Sequence, residues 1–243
     1  MSSFRMFPFI TKTWNPVVGC MHGCTYCWAR KLAKGKLRKT SRYKNGFGPQ
    51  FIEKELDKYF TAKDFVFVSD MGDVFGDWVP GGWIKDVLNR ISTMSAKFLL
   101  LTKNPRRYLT FHPKIPDNCV LGCTIESSNN YPEISKAPSQ NERLFWMTEL
   151  AEIMNIRRKA GKPWNELFVC IEPILDFDLD KFANMLANWI KPWAVAVGYD
   201  NYNNHLPEPS LAKTMQLIDR LEKAGITVYR KTLREAWNER KIG

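Results

Sequence analysis

Residues 19–28 read GCMHGCTYCW and place three cysteines within eight positions of each other. Cys20, Cys24 and Cys27 follow the spacing C-x3-C-x2-C. Six cysteines in a chain of 243 residues, three of them clustered, are unlike the disulfide framework of a small secreted protein and indicate metal binding. Three thiolates from one tight loop can each bind one iron of a 4Fe–4S cubane, which leaves the fourth iron without a protein ligand.

Short apolar runs alternate with amphipathic stretches along the chain. The candidate strands are residues 12–18, 64–69, 97–102, 119–125, 167–171, 193–197 and 226–230. The candidate helices are residues 80–94, 142–160, 179–190 and 209–224. Near-continuous apolar strands that alternate with helices are typical of parallel βαβ units. We therefore predict an α/β fold, a partial (β/α)6-type TIM barrel, in one domain over residues 1–243. A basic segment lies at 29–50, and a C-terminal extension begins at about residue 231.

The cysteine spacing, with an aromatic residue directly before the last cysteine (Tyr26), resembles the signature of the radical S-adenosylmethionine (SAM) superfamily. The stretches TWNPVVGC, FVFVSDMGDVF, FLLLTKNPRRY, LGCTIESS and CIEPIL further resemble a family of short radical-SAM-like proteins from phages, bacteria and archaea. The chain departs from that family at Gly72, where Ser is usual, and the likeness fades after residue 174. At 198–201, where a Gly-Gly-Glu-type turn is expected, the chain reads GYDN.

The resemblance implies that Cys20, Cys24 and Cys27 hold one 4Fe–4S cluster. It also implies that the chain cleaves SAM reductively to a 5′-deoxyadenosyl radical, which abstracts hydrogen from a substrate. The substrate implied by the basic segment is a nucleic acid or a nucleotide, which is modified or repaired. An electron donor such as ferredoxin or flavodoxin is the expected partner.

Polar residues follow the predicted strands, at the edge where α/β barrels carry their chemistry. The resemblance places Ser69 or Asp70 near the SAM amino group, with Asp73 as a second acceptor. Lys103 is expected to meet the SAM carboxylate or a substrate phosphate, and Glu126 the ribose hydroxyls. Turn, cap and surface roles are the structural alternatives. The predicted SAM-binding residues are Tyr26, Ser69, Asp70, Lys103, Glu126 and Glu172.

The three remaining cysteines lie on predicted strands. Cys119 and Cys123 would stand roughly 13 Å apart on an extended strand, so we predict that both are buried core residues rather than ligands of one cluster. Cys170 shares a strand face with Glu172. A thiol there could donate a hydrogen atom to a substrate radical, and a buried structural cysteine is the alternative.

The net charge of +11 is concentrated directly after the cysteine motif. Between residues 28 and 52 there are eight basic residues and no acidic ones. They are Arg30, Lys31, Lys34, Lys36, Arg38, Lys39, Arg42 and Lys44. Such a segment favours contact with phosphates, and a solvated surface is the alternative. The candidate substrate contacts are Arg30, Lys31, Lys34, Arg38, Lys39, Arg42, Arg106 and Arg107.

Aromatic residues interleave with these cations. They are Trp14, Trp28, Tyr43, Phe47, Trp78 and Trp83. One interpretation is base stacking beside phosphate contacts. The other is that the rings line and shield the cluster.

No apolar run approaches the roughly 20 residues that a membrane-spanning helix needs, and no secretory leader is evident. We therefore expect a soluble, cytoplasmic protein. Two other functional classes remain open. One is a radical SAM enzyme that acts on a peptide or a small metabolite. The other is a non-enzymatic nucleic-acid-binding module stabilised by zinc, in which His22 completes a Cys3His site.

Overall fold

A computed structural model of the chain describes residues 6–239, which fall into two compact units. The first unit comprises residues 6–121 and 133–137, and the second comprises residues 122–132 and 138–239. The expectation of one domain with a C-terminal extension stays a prediction.

The first unit is built on parallel strands covered by short helices. Its strands are β1 (Lys12–Trp14), β2 (Val17–Val18), β3 (Gln50–Phe51), β4 (Phe65–Val68), β5 (Lys97–Thr102) and the beginning of β6 (Cys119–Thr124). Its helices are α1 (Trp28–Lys34), α2 (Gly81–Ser92) and α3 (Arg106–Phe111), with 3₁₀ turns at Glu53–Asp57 and His112–Lys114. Strand β4 pairs in parallel with β1 on one side and with β5 on the other. Helix α2 buries residues at the spacing of an amphipathic helix, Ile84, Val87, Leu88 and Ile91.

One continuous strand over residues 12–18 is a wrong prediction. The strand breaks at Asn15 and Pro16, because proline has no N–H to donate and the Asn15 side chain bonds to the turn after β4 instead. Strand β2 then pairs antiparallel with β3 in a separate small sheet. The break turns the chain toward the cysteine motif.

The second unit repeats the alternation of strands and helices. Its elements are the end of β6, then α4 (Gln140–Lys159), β7 (Glu166–Ile171), α5 (Leu179–Asn184), β8 (Ala194–Val197), α6 (Leu211–Lys223) and β9 (Thr227–Arg230). Strands β7, β8 and β9 pair in parallel. The predicted helix over 179–190 has the right extent, but it changes at Met185 into a π-helix that ends at Ile190.

The strand order of the main sheet is β1-β4-β5-β6-β7-β8-β9. Sequential parallel strands joined by helices confirm the predicted α/β class. In residues 6–239, no helix combines the length and the apolar character that crossing a bilayer requires.

Two glycines bring the cysteine motif against the turn after β4. Gly19 and Gly72 form an isolated parallel bridge, and the Gly19 amide donates to the Met71 carbonyl at 2.9 Å. A Cβ at Gly72 would lie 2.8 Å from the Val17 carbonyl oxygen and 3.1 Å from the Val18 Cα. Two backbones therefore meet where a side chain has no room, which accounts for a glycine at position 72.

We expect Gly72→Ala to lower the free energy of unfolding by about 1–3 kcal/mol, because the added methyl group must push backbone atoms apart. The matched control is Gly82→Ala on α2, where a Cβ would meet nothing within 4 Å. That change should stabilise the chain by about 0.4–1 kcal/mol. Urea denaturation measures both. Equal effects of the two changes would contradict the close approach at Gly72.

Candidate metal centre

The three motif cysteines lie on the loop between β2 and α1, within the first unit. Cys27 is the N-cap of α1, and its Sγ accepts the Arg30 amide at 3.3 Å. The Cys24 Sγ lies 3.1 Å from the Ser135 hydroxyl oxygen. All three are free thiols.

Electrostatic coupling shows that the three thiols are close neighbours. Burial raises the pKa of Cys20, and the charges of Asp73, Cys24 and Cys27 raise it further, against the lowering effect of the His22 amide. Burial also raises the pKa of Cys27, and Cys24 adds to the rise. Bound metal would lower the pKa of these thiols, because a coordinating thiol is deprotonated.

The donor set fits a soft metal centre. Three sulfurs from one loop suit iron–sulfur clusters or zinc. Within residues 6–239, no three His, Cys, Asp or Glu side chains already converge on the position of a single ion. A 4Fe–4S cubane does not require three side chains to converge on one position, because each cysteine binds a different iron.

The protein backbone fixes the loop from several sides. The Cys20 amide donates to the Phe47 carbonyl at 3.2 Å, and the Thr25 amide donates to the Ile134 carbonyl at 3.0 Å. The Lys136 amide donates to the His22 carbonyl at 2.7 Å. The loop conformation is therefore a property of the folded chain.

A buried carboxylate, that of Asp73, connects the loop to β5. It accepts hydrogen bonds from His22 Nε2 at 2.9 Å, from the Thr102 hydroxyl at 2.7 Å and from the Lys103 amide at 3.1 Å. It also accepts from the Phe75 amide at 2.9 Å. Burial by itself would raise the pKa of Asp73, but the His22 hydrogen bond and charge, with the Lys103 and Thr102 hydrogen bonds, bring it below its usual range.

Tyr26 and Lys103, both predicted SAM contacts, meet in the first unit. The Lys103 Nζ donates to the Tyr26 hydroxyl at 2.8 Å and lies 5.3 Å from the centre of its ring. Burial raises the pKa of Cys27, and the ammonium charge of Lys103 opposes that rise, which places Lys103 beside the cysteine loop.

Ser69 and Asp70, also predicted SAM contacts, form the turn after β4. Ser69 adopts a left-handed φ of 57°, which is uncommon outside glycine and clusters at functional sites. Its hydroxyl accepts the Val17 amide at 3.3 Å. The Asp70 carboxylate accepts from the Asn15 side chain at 2.6 Å, and burial raises its pKa.

The remaining predicted cofactor residues lie in the second unit, each in an ion pair. Glu126 is 1% exposed and accepts from Arg143 on α4 at 2.7 Å. Glu172 pairs with Lys231. The Cys170 thiol is buried, and its backbone carbonyl accepts the Ile125 amide at 2.9 Å. Cys119 and Cys123 are buried on β6, as predicted for core residues.

The predicted phosphate contacts differ in exposure. Lys31, Lys34, Arg38, Lys39 and Arg106 are exposed, as are Lys36 and Lys44. Three arginines are instead engaged within the chain. Arg30 donates to the Cys24 carbonyl at 3.4 Å, and Arg42 pairs with Glu55 at 2.8 Å. Arg107 donates to the carbonyls of Gly76 and Val79.

Base stacking by the aromatic residues is wrong for three of them. Trp14, Tyr43 and Phe47 are at most 7% exposed and are core residues. Trp83 stacks on Phe51 at 5.4 Å, and Trp78 meets the edge of His22 at 4.7 Å. Tyr43 and Phe47 belong to the small core against which Cys20 and Cys27 pack, and the shielding of a cluster stays a prediction.

Sequence reasoning missed the residues that hold the candidate site in place. The Asn15 side chain donates to Asp70 and accepts the Met71 amide at 3.0 Å. Its position directly before a proline in the TWNP stretch was the available signal. Arg143 and Lys231 carried no such signal, because both are distant in sequence from the carboxylates that they pair with.

The fold is similar to that of solved radical SAM enzymes. A spore photoproduct lyase mutant aligns at 10% identity with a TM-score of 0.59, over 95% of this chain and 78% of its own. A spore photoproduct lyase mutant with bound AdoMet and dinucleoside spore photoproduct gives 0.51 at 11% identity, over 87% of this chain and 61% of its own. A radical SAM methyltransferase from Sphaerobacter thermophilus gives 0.51 at 14% identity, over 93% and 67%.

These likenesses confirm the predicted fold, a partial (β/α) barrel of the radical SAM kind. Residues 6–146, more than half of the chain, match the family described as "Protein of unknown function (DUF5131)". The chain belongs to this family. No curated protein matches the sequence.

We expect Asp73→Asn to lower the free energy of unfolding by about 3 kcal/mol at pH 7, because the variant disrupts a buried charged network. The Asp73 pKa is lowered in the folded state, so its stabilisation is present above the ordinary aspartate pKa of about 3.9 and is lost as pH falls through the folded value. The difference between wild type and variant should therefore shrink below about pH 4. Asp86→Asn on the exposed side of α2 is the control, and urea denaturation across pH is the measurement. A difference that stays constant with pH would contradict this role.

We expect Arg143→Met to destabilise the chain by about 3–5 kcal/mol, because it leaves the Glu126 charge buried without its partner. The double variant Glu126→Gln/Arg143→Met should recover most of that loss. Urea denaturation of the wild type, both single variants and the double variant gives the coupling. If the losses of the two single variants add up in the double variant, the Glu126–Arg143 ion pair is not the reason for the destabilisation.

Proposed function

We propose that the chain is a radical SAM enzyme in which Cys20, Cys24 and Cys27 hold a 4Fe–4S cluster. The observation that carries this proposal is the set of three neighbouring free thiols on a loop that the folded chain itself fixes. When bound, such a cluster supplies an electron to SAM and yields a 5′-deoxyadenosyl radical that takes hydrogen from a substrate.

The surroundings of His22 favour iron over zinc. A Cys3His zinc site would need one of the His22 ring nitrogens as its fourth ligand. The Nε2 atom is committed to Asp73 at 2.9 Å, and the ring is held against Trp78. An ionised carboxylate only accepts hydrogen bonds, so this nitrogen carries the proton. That bond leaves the other ring nitrogen, Nδ1, to bind a metal, but within residues 6–239 no three His, Cys, Asp or Glu side chains converge on one ion position, as a Cys3His zinc site requires.

Three residues of the first unit are suited to orient SAM. Lys103 offers an ammonium group to a carboxylate, and Tyr26 holds that group in place. Asp70 offers carboxylate oxygens to an ammonium group, with Asn15 fixing its orientation. The Ser69 hydroxyl already bonds to the backbone, so the proposed role of Ser69 is to shape the turn.

For the second unit, the roles remain those that the resemblance implies. Glu126 would accept from the ribose hydroxyls of SAM, and its ion pair with Arg143 would hold the carboxylate in place for that purpose. Glu172, paired with Lys231, would contribute to the same cofactor. Cys170 would donate a hydrogen atom to a substrate radical.

A nucleic acid or a nucleotide is the proposed substrate. The exposed cations after the cysteine loop support it, since phosphates are their natural ligands. A structurally similar spore photoproduct lyase is known with a bound dinucleoside photoproduct, which also supports it. A ferredoxin or flavodoxin is the proposed electron donor, and the cytoplasm the proposed location.

The test is anaerobic reconstitution, followed by iron and zinc analysis and measurement of 5′-deoxyadenosine formed from SAM under dithionite. We expect about four irons per chain and deoxyadenosine release, both lost in Cys24→Ala. The matched control is Cys119→Ala, which removes a buried thiol outside the motif and should leave the iron content unchanged.

Two outcomes would overturn the proposal. About one zinc per chain, lost in both Cys24→Ala and His22→Gln, would indicate a structural zinc site. A full cluster that yields no deoxyadenosine would indicate an iron–sulfur protein of another class.

A further inference from the structure

The exposed cations after the cysteine loop form one surface, which we call the basic surface. It consists of Lys31, Lys34, Lys36, Arg38, Lys39 and Lys44, all exposed. No acidic residue occurs between residues 28 and 52. The charge of this surface is therefore of one sign over a continuous piece of chain.

The segment that carries the basic surface is ordered. After α1 ends at Gly35, successive turns are closed by backbone hydrogen bonds, such as Thr40 to the Leu37 carbonyl at 2.9 Å and Gly46 to the Tyr43 carbonyl at 2.9 Å. Ala33 and Phe47 are buried, at 0% and 7% exposure, and the partly buried Leu32 and Leu37 pack against the same cluster. The backbone thus holds the cations outward and needs no further ordering when a ligand binds, and the remaining cost is that of immobilising the Lys and Arg side chains.

The basic surface is backed directly by the cysteine loop. Ala33, Tyr43 and Phe47 form a small core with Val18 and Met71. Cys20 and Cys27 pack against this core. A ligand held on the outer side is thereby brought next to the candidate metal centre of the same unit.

A cleft adjoins the basic surface in the same unit. Its volume is about 550 Å³, and its walls include Ser41, Arg42, Gln50, Lys54 and Lys58. Two carboxylates also line it, Glu55 and Asp57, and Glu55 is paired with Arg42 and with Lys58, each at 2.8 Å. Against these two carboxylates stand three cations, so the cleft keeps a positive balance and offers hydroxyl, amide and ammonium donors to an anion.

The surface is suited to a polyanion more than to an acidic protein. Stable protein interfaces are centred on aromatic or apolar anchors. Between residues 28 and 58, the described chain exposes no large hydrophobic side chain. Of the rings interleaved with the cations, Tyr43 and Phe47 are buried and Trp28 is half-buried against the same core, so the surface offers little room for base stacking.

We infer that the basic surface and its cleft hold the sugar–phosphate backbone of a nucleic acid polymer, independently of base sequence. The inference rests on the proposed function and narrows its substrate from a nucleotide to a strand. Phosphates contact the cations, and the strand runs beside the cysteine loop.

The test is the salt dependence of binding to a fluorescently labelled 20-nucleotide DNA strand, to its duplex and to an RNA strand of the same sequence, followed by fluorescence anisotropy on reconstituted protein with SAM. The test variant is Lys34→Gln/Arg38→Gln/Lys39→Gln. The control variant, Lys63→Gln/Lys85→Gln/Lys114→Gln, removes the same charge from exposed lysines of the same unit. Three lost phosphate contacts should reduce the slope of log K against log salt by about 2 to 3 and weaken binding about 100-fold at 0.1 M salt. The control should bind like wild type.

Three outcomes would overturn the inference. Equal losses in both variants would show that only net charge matters. If wild type binds neither DNA nor RNA, a nucleic acid is not the ligand of the basic surface. A test variant that no longer binds reduced flavodoxin but binds nucleic acid like wild type would assign the surface to an acidic protein. Iron content and deoxyadenosine release without nucleic acid, both measured on wild type, keep this test separate from the proposed function, because a failure of the proposed function would abolish them in wild type itself.

Discussion

The hydrogen bonding of the Asp73 carboxylate is the constraint on which the arrangement of the first unit depends. One buried side chain receives donors from the cysteine loop, from the end of β5 and from its own turn. An ionised carboxylate in the protein interior is tolerated only when such donors surround it. The loop, the strand end and the turn are consequently locked together. Any of the three moving alone would leave a charge without its partners.

Much of the fold could be predicted because its signals are local. Apolar runs such as residues 97–102 coincide with β5, and the amphipathic spacing from Ile84 to Ile91 defines α2. The strand break at Asn15 was missed, because the apolar pattern continues on both sides of it. The π-helix after Asn184 was missed because it is only six residues long, and over that length its side-chain spacing differs little from that of an α-helix.

The sequence predicted which residues belong to the candidate site better than it predicted the hydrogen bonds and ion pairs between them. Tyr26 and Lys103 were both expected near SAM, but their mutual hydrogen bond joins positions 77 residues apart. The pairing of Glu126 with Arg143 depends on how α4 packs, and sequence alone does not give the direction of a side chain on a helix. Burial of Tyr43 and Phe47 was hidden for a related reason: aromatic residues among cations suit either a binding surface or a small core.

The backbone anchoring of the cysteine loop has a consequence for how the protein is maintained. Hydrogen bonds from the backbone amides of Cys20, Thr25 and Lys136 hold the loop in its conformation. A loop already shaped loses little conformational entropy on loading. Under the proposed function, a cluster destroyed by oxygen can be rebuilt in the mature molecule, so damage calls for resupply of iron and sulfide rather than synthesis of a new chain.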